Sequence, residues 1–147
     1  MGRDHAETFE SLRGDVLAKL VDIRTSIDRA YERIPDDVVS GHFDVMLNKM
    51  AAYLGSGDAA GYREFVTRWA AMREGEGFGP EKVVHSVVAI GDVVVRTAQK
   101  KFGPGERTDF LRAVTDATAL SARWLVEAVA EQLSERSAQL AELEGGQ

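Results

Sequence analysis

Pro80-Glu81-Lys82-Val83-Val84-His85-Ser86-Val87-Val88-Ala89-Ile90-Gly91-Asp92-Val93-Val94-Val95 is the stretch that decides the fold class. Valines at 83, 84, 87, 88, 93, 94 and 95 argue for a strand, because β-branched side chains suit a pleated surface. Three observations argue for a helix. The segment runs on to about Phe102, longer than an ordinary strand. It opens on Pro-Glu, where proline gives up an N–H that a first helical turn leaves orphaned and glutamate faces the positive end of the helix dipole. Val84, Val87, Val88, Gly91, Val94, Val95 and Ala98 recur at steps of three and four. A helix apolar around most of its circumference is expected to be the central, most buried one. Glycine inside a helix costs about 1 kcal/mol relative to alanine. Gly91 is therefore expected to mark the close approach of a neighbouring helix.

Working back from this segment, Arg73-Glu74-Gly75-Glu76-Gly77 closes a helix that begins at the N-cap Asp58 and buries Tyr62, Phe65, Val66, Trp69 and Met72. Arg73 can bond the last carbonyls of that helix, and Gly77 can supply a positive φ. The preceding helix starts at Pro35-Asp36-Asp37, carries Val39, Phe43, Met46, Leu47, Met50 and Leu54 on its apolar stripe, and stops at Gly55-Ser56-Gly57. The first segment, from about Ala6 to Arg33, places Phe9, Leu12, Val16, Leu20, Ile23, Ile27 and Tyr31 on one helical stripe.

Forward of the valine-rich segment, Gly103-Pro104-Gly105 is the firmest break in the chain. Beyond it the stripe Phe110, Leu111, Val114, Ala117, Leu120, Trp124, Leu125, Ala128, Val129 and Leu133 predicts a helix from about Glu106 to Glu142. Its length of roughly 54 Å exceeds what a compact domain of this size needs. Leu133 and Leu140 lie one heptad apart. They are expected to form an interface on an end that projects and pairs with a second copy. The expectation is an all-α chain, one domain over residues 1–147, with about five helices in a helical bundle or a globin-like packing and a long C-terminal helix.

Composition narrows the chemistry. The 147 residues carry 18 Lys and Arg against 24 Asp and Glu, a formal charge of −6, which disfavours a nucleic-acid backbone as partner. Cysteine is absent, so thiolate nucleophiles and Cys-ligated metals are excluded. No apolar run is long enough to span a bilayer, and Met1 to Glu10 lacks the pattern of a secretory signal, so a cytoplasmic protein with no membrane partner is expected. No catalytic set stands out: Ser40 and His42 lie outside any nucleophile elbow, and the glycine clusters at 55–61 and 75–79 lack the ending of a phosphate loop. Glu127, Glu131 and Glu135 are expected to form a solvated face. Glu81 and His85 stand four apart, too few ligands for a metal site. His5 is expected in solvent. His85 and His42 are the candidates for a proximal ligand if the chain were a haem or small-ligand sensor with a globin-like pocket. The expectation is no cofactor and no metal.

One ordered set of landmarks carries a family resemblance. Tyr31-Glu32-Arg33-Ile34-Pro35-Asp36-Asp37 leads into a helix, and Gly57-Asp58 opens the next. That helix ends Trp69-Ala70-Ala71-Met72-Arg73-Glu74-Gly75-Glu76-Gly77-Phe78 before Pro80-Glu81-Lys82-Val83-Val84. From about Tyr31 to Trp124 the order resembles the N-terminal helical domains of RsbR-type co-antagonist proteins (the RsbRD N-terminal family). It is also similar to helical domains that precede PucR-like regulators. The resemblance implies a non-catalytic signal-transduction module of a partner-switching, stress-response type pathway. Its partners would be a regulatory protein or a downstream output domain, often a STAS domain. No such segment lies within these residues, so an excised domain or a stand-alone relative is expected. The resemblance supplies no catalytic residues.

Overall fold

The computed structural model describes residues 2–145. The chain forms α1 (Gly2–Asp22), α2 (Arg24–Ile27), a 3-10 turn (Arg29–Arg33), α3 (Asp36–Ser56), α4 (Ala59–Gly75), α5 (Pro80–Phe102) and α6 (Thr108–Gly145). Among the described residues there is no strand. The fold is an all-α helical bundle with a long C-terminal helix. The α1 helix packs along α3, α5 packs along α6, and α4 closes against α3, α5 and α6. One contiguous apolar core draws side chains from α1 through α6.

The turns form where the chemistry of the chain places them. Gly57 adopts a left-handed φ of 74° and donates to Tyr53 O, and the Asp58 carboxylate accepts from Gly61 N at 3.0 Å to start α4. At the end of α4, Phe78 N donates to Arg73 O at 3.0 Å and Gly77 N to Glu74 O at 3.1 Å, with Gly77 at φ 100°. That pair of bonds is a Schellman motif, which satisfies two orphan carbonyls and folds the following apolar residue back on the helix. Phe78 is accordingly buried.

The first segment, expected as one continuous helix, is interrupted. The chain from Ala6 to Arg33 is three pieces, broken at Ile23 and Asp28. Asp28 is extended (φ −156°, ψ 132°), and its carboxylate accepts from Ala30 N at 2.9 Å. A short acidic side chain that caps its own backbone competes with the helix ladder. The Arg24 guanidinium fixes the break, donating to Val21 O at 3.1 Å and pairing with Asp36 at 2.6 Å. Ile27 and Tyr31 still reach the core, with the Tyr31 ring 5.4 Å from Phe43 and 4.8 Å from Phe78.

The valine-rich segment is a helix, and its buried face is rotated from the expected one. Val83, Ser86, Val87, Ile90, Gly91, Val93, Val94 and Ala98 are buried, whereas Val84 and Val95 are half-buried and Val88 is exposed. A helix apolar almost all round does not choose its own face, so its neighbours choose it. Ser86 can turn inward because its hydroxyl donates to Lys82 O at 2.9 Å. The core is shared with α3, where Val39, Phe43, Met46, Leu47 and Met50 have no exposed surface. A Cβ on Gly91 would stand 2.6 Å from Thr118 Cγ2, so α6 makes the close approach that this glycine implied. Met72, expected inside, is exposed, and Arg73 takes the inward position.

Candidate functional site

Two regions remain once the core is accounted for: the free half of α6 and a buried polar cluster at the end of α4.

The first half of α6 buries Phe110, Val114, Ala117, Ser121, Trp124 and Leu125. From Ala130 to Gly145 every described residue is exposed. Val126, Leu133, Leu140 and Leu143 are large apolar side chains that remain 56%, 56%, 60% and 71% exposed. Val126, Leu133 and Leu140 repeat at seven residues, and Val129 and Leu143 occupy the alternate seam position. The sequence reading found Leu133 and Leu140 and missed Val126, which counting the heptad backwards from Leu133 reveals. Glu127 lies on the charged side, 3.1 Å from Arg123 and 3.5 Å from Arg63. At the root of this half, a groove of about 370 Å³ runs between the α4–α5 turn and α6. Gly77, Phe78, Gly79 and Pro80 line one side, and Val129, Gln132, Leu133 and Arg136 line the other.

The cluster at the end of α4 centres on Arg73, whose side chain is only 7% exposed. Its carbonyl closes the Schellman turn, and its guanidinium turns inward instead of capping the helix. Nη1 lies 3.1 Å from the Glu76 carboxylate without hydrogen-bond alignment, and both Nε and Nη1 lack a hydrogen-bond partner. Tyr31 and His42 share this neighbourhood, their rings 6.3 Å apart. Burial pushes the Tyr31 hydroxyl up to about 12, with Arg73 opposing and Asp28 and Glu76 reinforcing the shift. Burial also lowers the His42 pKa, and the Arg73 charge lowers it further against a smaller opposing effect of Glu76. The His42 Nδ1 is buried without a partner. Tyr31 was legible as a core residue, but the inward Arg73 was not, because arginine beside a helix end reads as surface.

The two candidate haem ligands are not brought together. His85 is exposed on α5 and His42 is half-buried on α3, and neither lines the groove at the root of α6. His5, expected in solvent, is half-buried with its ring 6.1 Å from Phe110. Among the described residues no group of three or more His, Asp or Glu side chains could hold a metal ion, and no helix is long and apolar enough to cross a membrane. Comparison with protein families, characterised proteins and solved structures gives no match to this chain.

Proposed function

We propose that the chain is a non-catalytic signal-transduction module. In this reading its helical body receives a signal, and the free half of α6 passes it on as a paired helix. The observation that carries the reading is the exposed heptad series Val126, Leu133 and Leu140, continued by Leu143, on a helix that outruns its own core. Apolar residues at this spacing suit a left-handed two-stranded seam. The flanking positions support a partner identical in sequence. Ala130, Gln132, Ser137 and Gln139 beside the seam are uncharged, Glu127, Glu131, Glu135 and Glu142 lie away from it, and Glu144 flanks it near the end of the helix. Two copies of an acidic helix could thus approach with few like charges facing across the interface. Arg136 is the exception, a cation at a seam position, which fixes register at a cost in stability. A shift or rotation of such a pair carries a change at one end to an output domain at the other. The resemblance to RsbR-type domains over Tyr31 to Trp124 supports the same class, with a regulatory protein or output domain as the downstream partner.

The test is Leu133→Glu combined with Leu140→Glu. The expected outcome is a dimer for the native chain by sedimentation and a folded monomer for the variant, with an unchanged helical circular dichroism spectrum. A dimer that persists removes these leucines from the interface. A monomeric native chain removes the paired-helix reading.

A further inference from the structure

A buried guanidinium with unmet N–H groups is expensive, and native structures rarely leave one without a compensating partner. The Arg73 cluster collects several such groups. Nε and Nη1 of Arg73 are donors without acceptors, and the Trp69 indole N–H, one turn earlier on the same helix, is another. His42 Nδ1 can also donate in the appropriate tautomer. The acceptors nearby, the Tyr31 hydroxyl oxygen and the Glu76 carboxylate, make no hydrogen bond to these donors. The nearby anion, Glu76, is 44% exposed and approaches Nη1 off the hydrogen-bonding direction.

We propose that Arg73, with Tyr31 and His42 beside it, is a binding site for a small free monocarboxylate, and that the Glu76 carboxylate is its internal, displaceable occupant. A carboxylate takes two parallel bonds from one edge of a guanidinium; Nε and Nη1 lie on different edges, so a bound acid would meet one of these unpartnered donors together with Nη2. The site offers one fixed positive charge and has acidic neighbours in Asp28 and Glu76, which favours a monoanion over a phosphate dianion. A carboxylate carried on a partner protein cannot easily reach a side chain this buried, whereas a small acid would take the place of the 44% exposed Glu76 carboxylate. Displacing Glu76 moves the turn whose next residues, Gly77 to Pro80, form one wall of the groove against α6. The site stands on its own observations. Only its link to α6 rests on the signalling reading.

The experiment is a titration of the full chain with sodium formate against sodium chloride at constant ionic strength, read by amide chemical shifts and thermal melting. The expected result is saturable movement of the Gly77 and Phe78 amides with formate, about tenfold tighter binding in Glu76→Gln and no binding in Arg73→Gln. Inorganic phosphate is expected to compete weakly. Shifts that scatter over surface cations and never saturate would overturn the site, and so would formate affinity that Glu76→Gln leaves unchanged. Phosphate binding as tightly as formate would overturn the carboxylate assignment. If Arg73→Gln does not fold, the comparison of Glu76→Gln with the native chain decides alone. Formate binding alongside a native chain that sediments as a monomer would retain the site and remove the paired helix, so the two failures are distinguishable.

Discussion

The two halves of α6 share one helix and one kind of periodicity, yet they meet opposite surroundings. From Phe110 to Leu125 the stripe is locked against other helices: Trp124 sits edge-on to Tyr62 at 5.9 Å, and Ser121 Oγ lies 3.2 Å from the Tyr62 hydroxyl. Beyond Ala130 the same helix presents leucines to solvent. A helical stripe says which residues share a face. Whether that face is covered depends on what lies opposite, and among the described residues the second half stays exposed from Ala130 onward.

The contrast is sharpest for truncations of similar chemistry in the two halves. Trp124→Ala is expected to cost about 3–5 kcal/mol, because a buried aromatic leaves a cavity that its neighbours fill only in part. Leu133→Ala, at low protein concentration where any pairing is lost, is expected to stay within about 0.5 kcal/mol of the native chain. Urea unfolding followed by circular dichroism measures both. A Leu133→Ala loss comparable to that of Trp124→Ala would show that the second half also belongs to the core and would break the comparison.

A smaller effect tests how tightly the first half is held. Gly91 lies where α5 touches α6 at Thr118. Gly91→Leu is expected to destabilise by about 1–3 kcal/mol through overpacking, despite the gain in helix propensity. Gly91→Ala should recover stability when combined with Thr118→Ala, which removes the Oγ1 and Cγ2 atoms that a Cβ would strike. Additivity of the two changes in a double-mutant cycle would show that the contact is absent.

These examples also show what the amino-acid sequence reveals by itself. The helical state of the valine-rich segment was legible because its length and its Pro-Glu start outweigh its β-branched composition. The caps at Asp58, Gly57 and Gly77 were legible because each is a local event between residues a few positions apart. The break at Asp28 was hidden, since Ile23, Ile27 and Tyr31 keep helical spacing across it and all three are at least half-buried. The buried face of α5 was hidden for the opposite reason: with valine on nearly every side, the periodic signal has no preferred direction. Met72 and Arg73 exchanged their expected places because the Schellman turn brings Phe78 and Glu76 over the Arg73 side of α4, a contact between the helix and the loop after it. The heptad leucines were legible by spacing, whereas the polar cluster required three separate elements to converge.

The smallest expected effect separates the body from the free half of α6 by pH. The His42 pKa is lowered in the folded chain, by burial first and by Arg73 second. In the unfolded chain the imidazole titrates near its ordinary value of about 6.5. As pH falls through that value, the unfolded chain takes up the proton before the folded chain does. Where the unfolded state binds more protons, stability rises with pH and falls as pH drops. The His42 contribution is therefore fully present above about pH 6.5 and is lost as pH falls towards the lowered folded value. His42→Gln is expected to flatten the dependence of unfolding free energy on pH in that window, whereas Leu133→Ala with Leu140→Ala should leave it as in the native chain. Urea unfolding at a series of pH values, taken as the difference between each variant and the native chain, cancels the titration of the carboxylates they share. An equal slope in native and His42→Gln protein would mean that His42 is as free to take a proton as an exposed histidine, and would take away one of the groups that distinguish the Arg73 neighbourhood from the exposed helix beyond it.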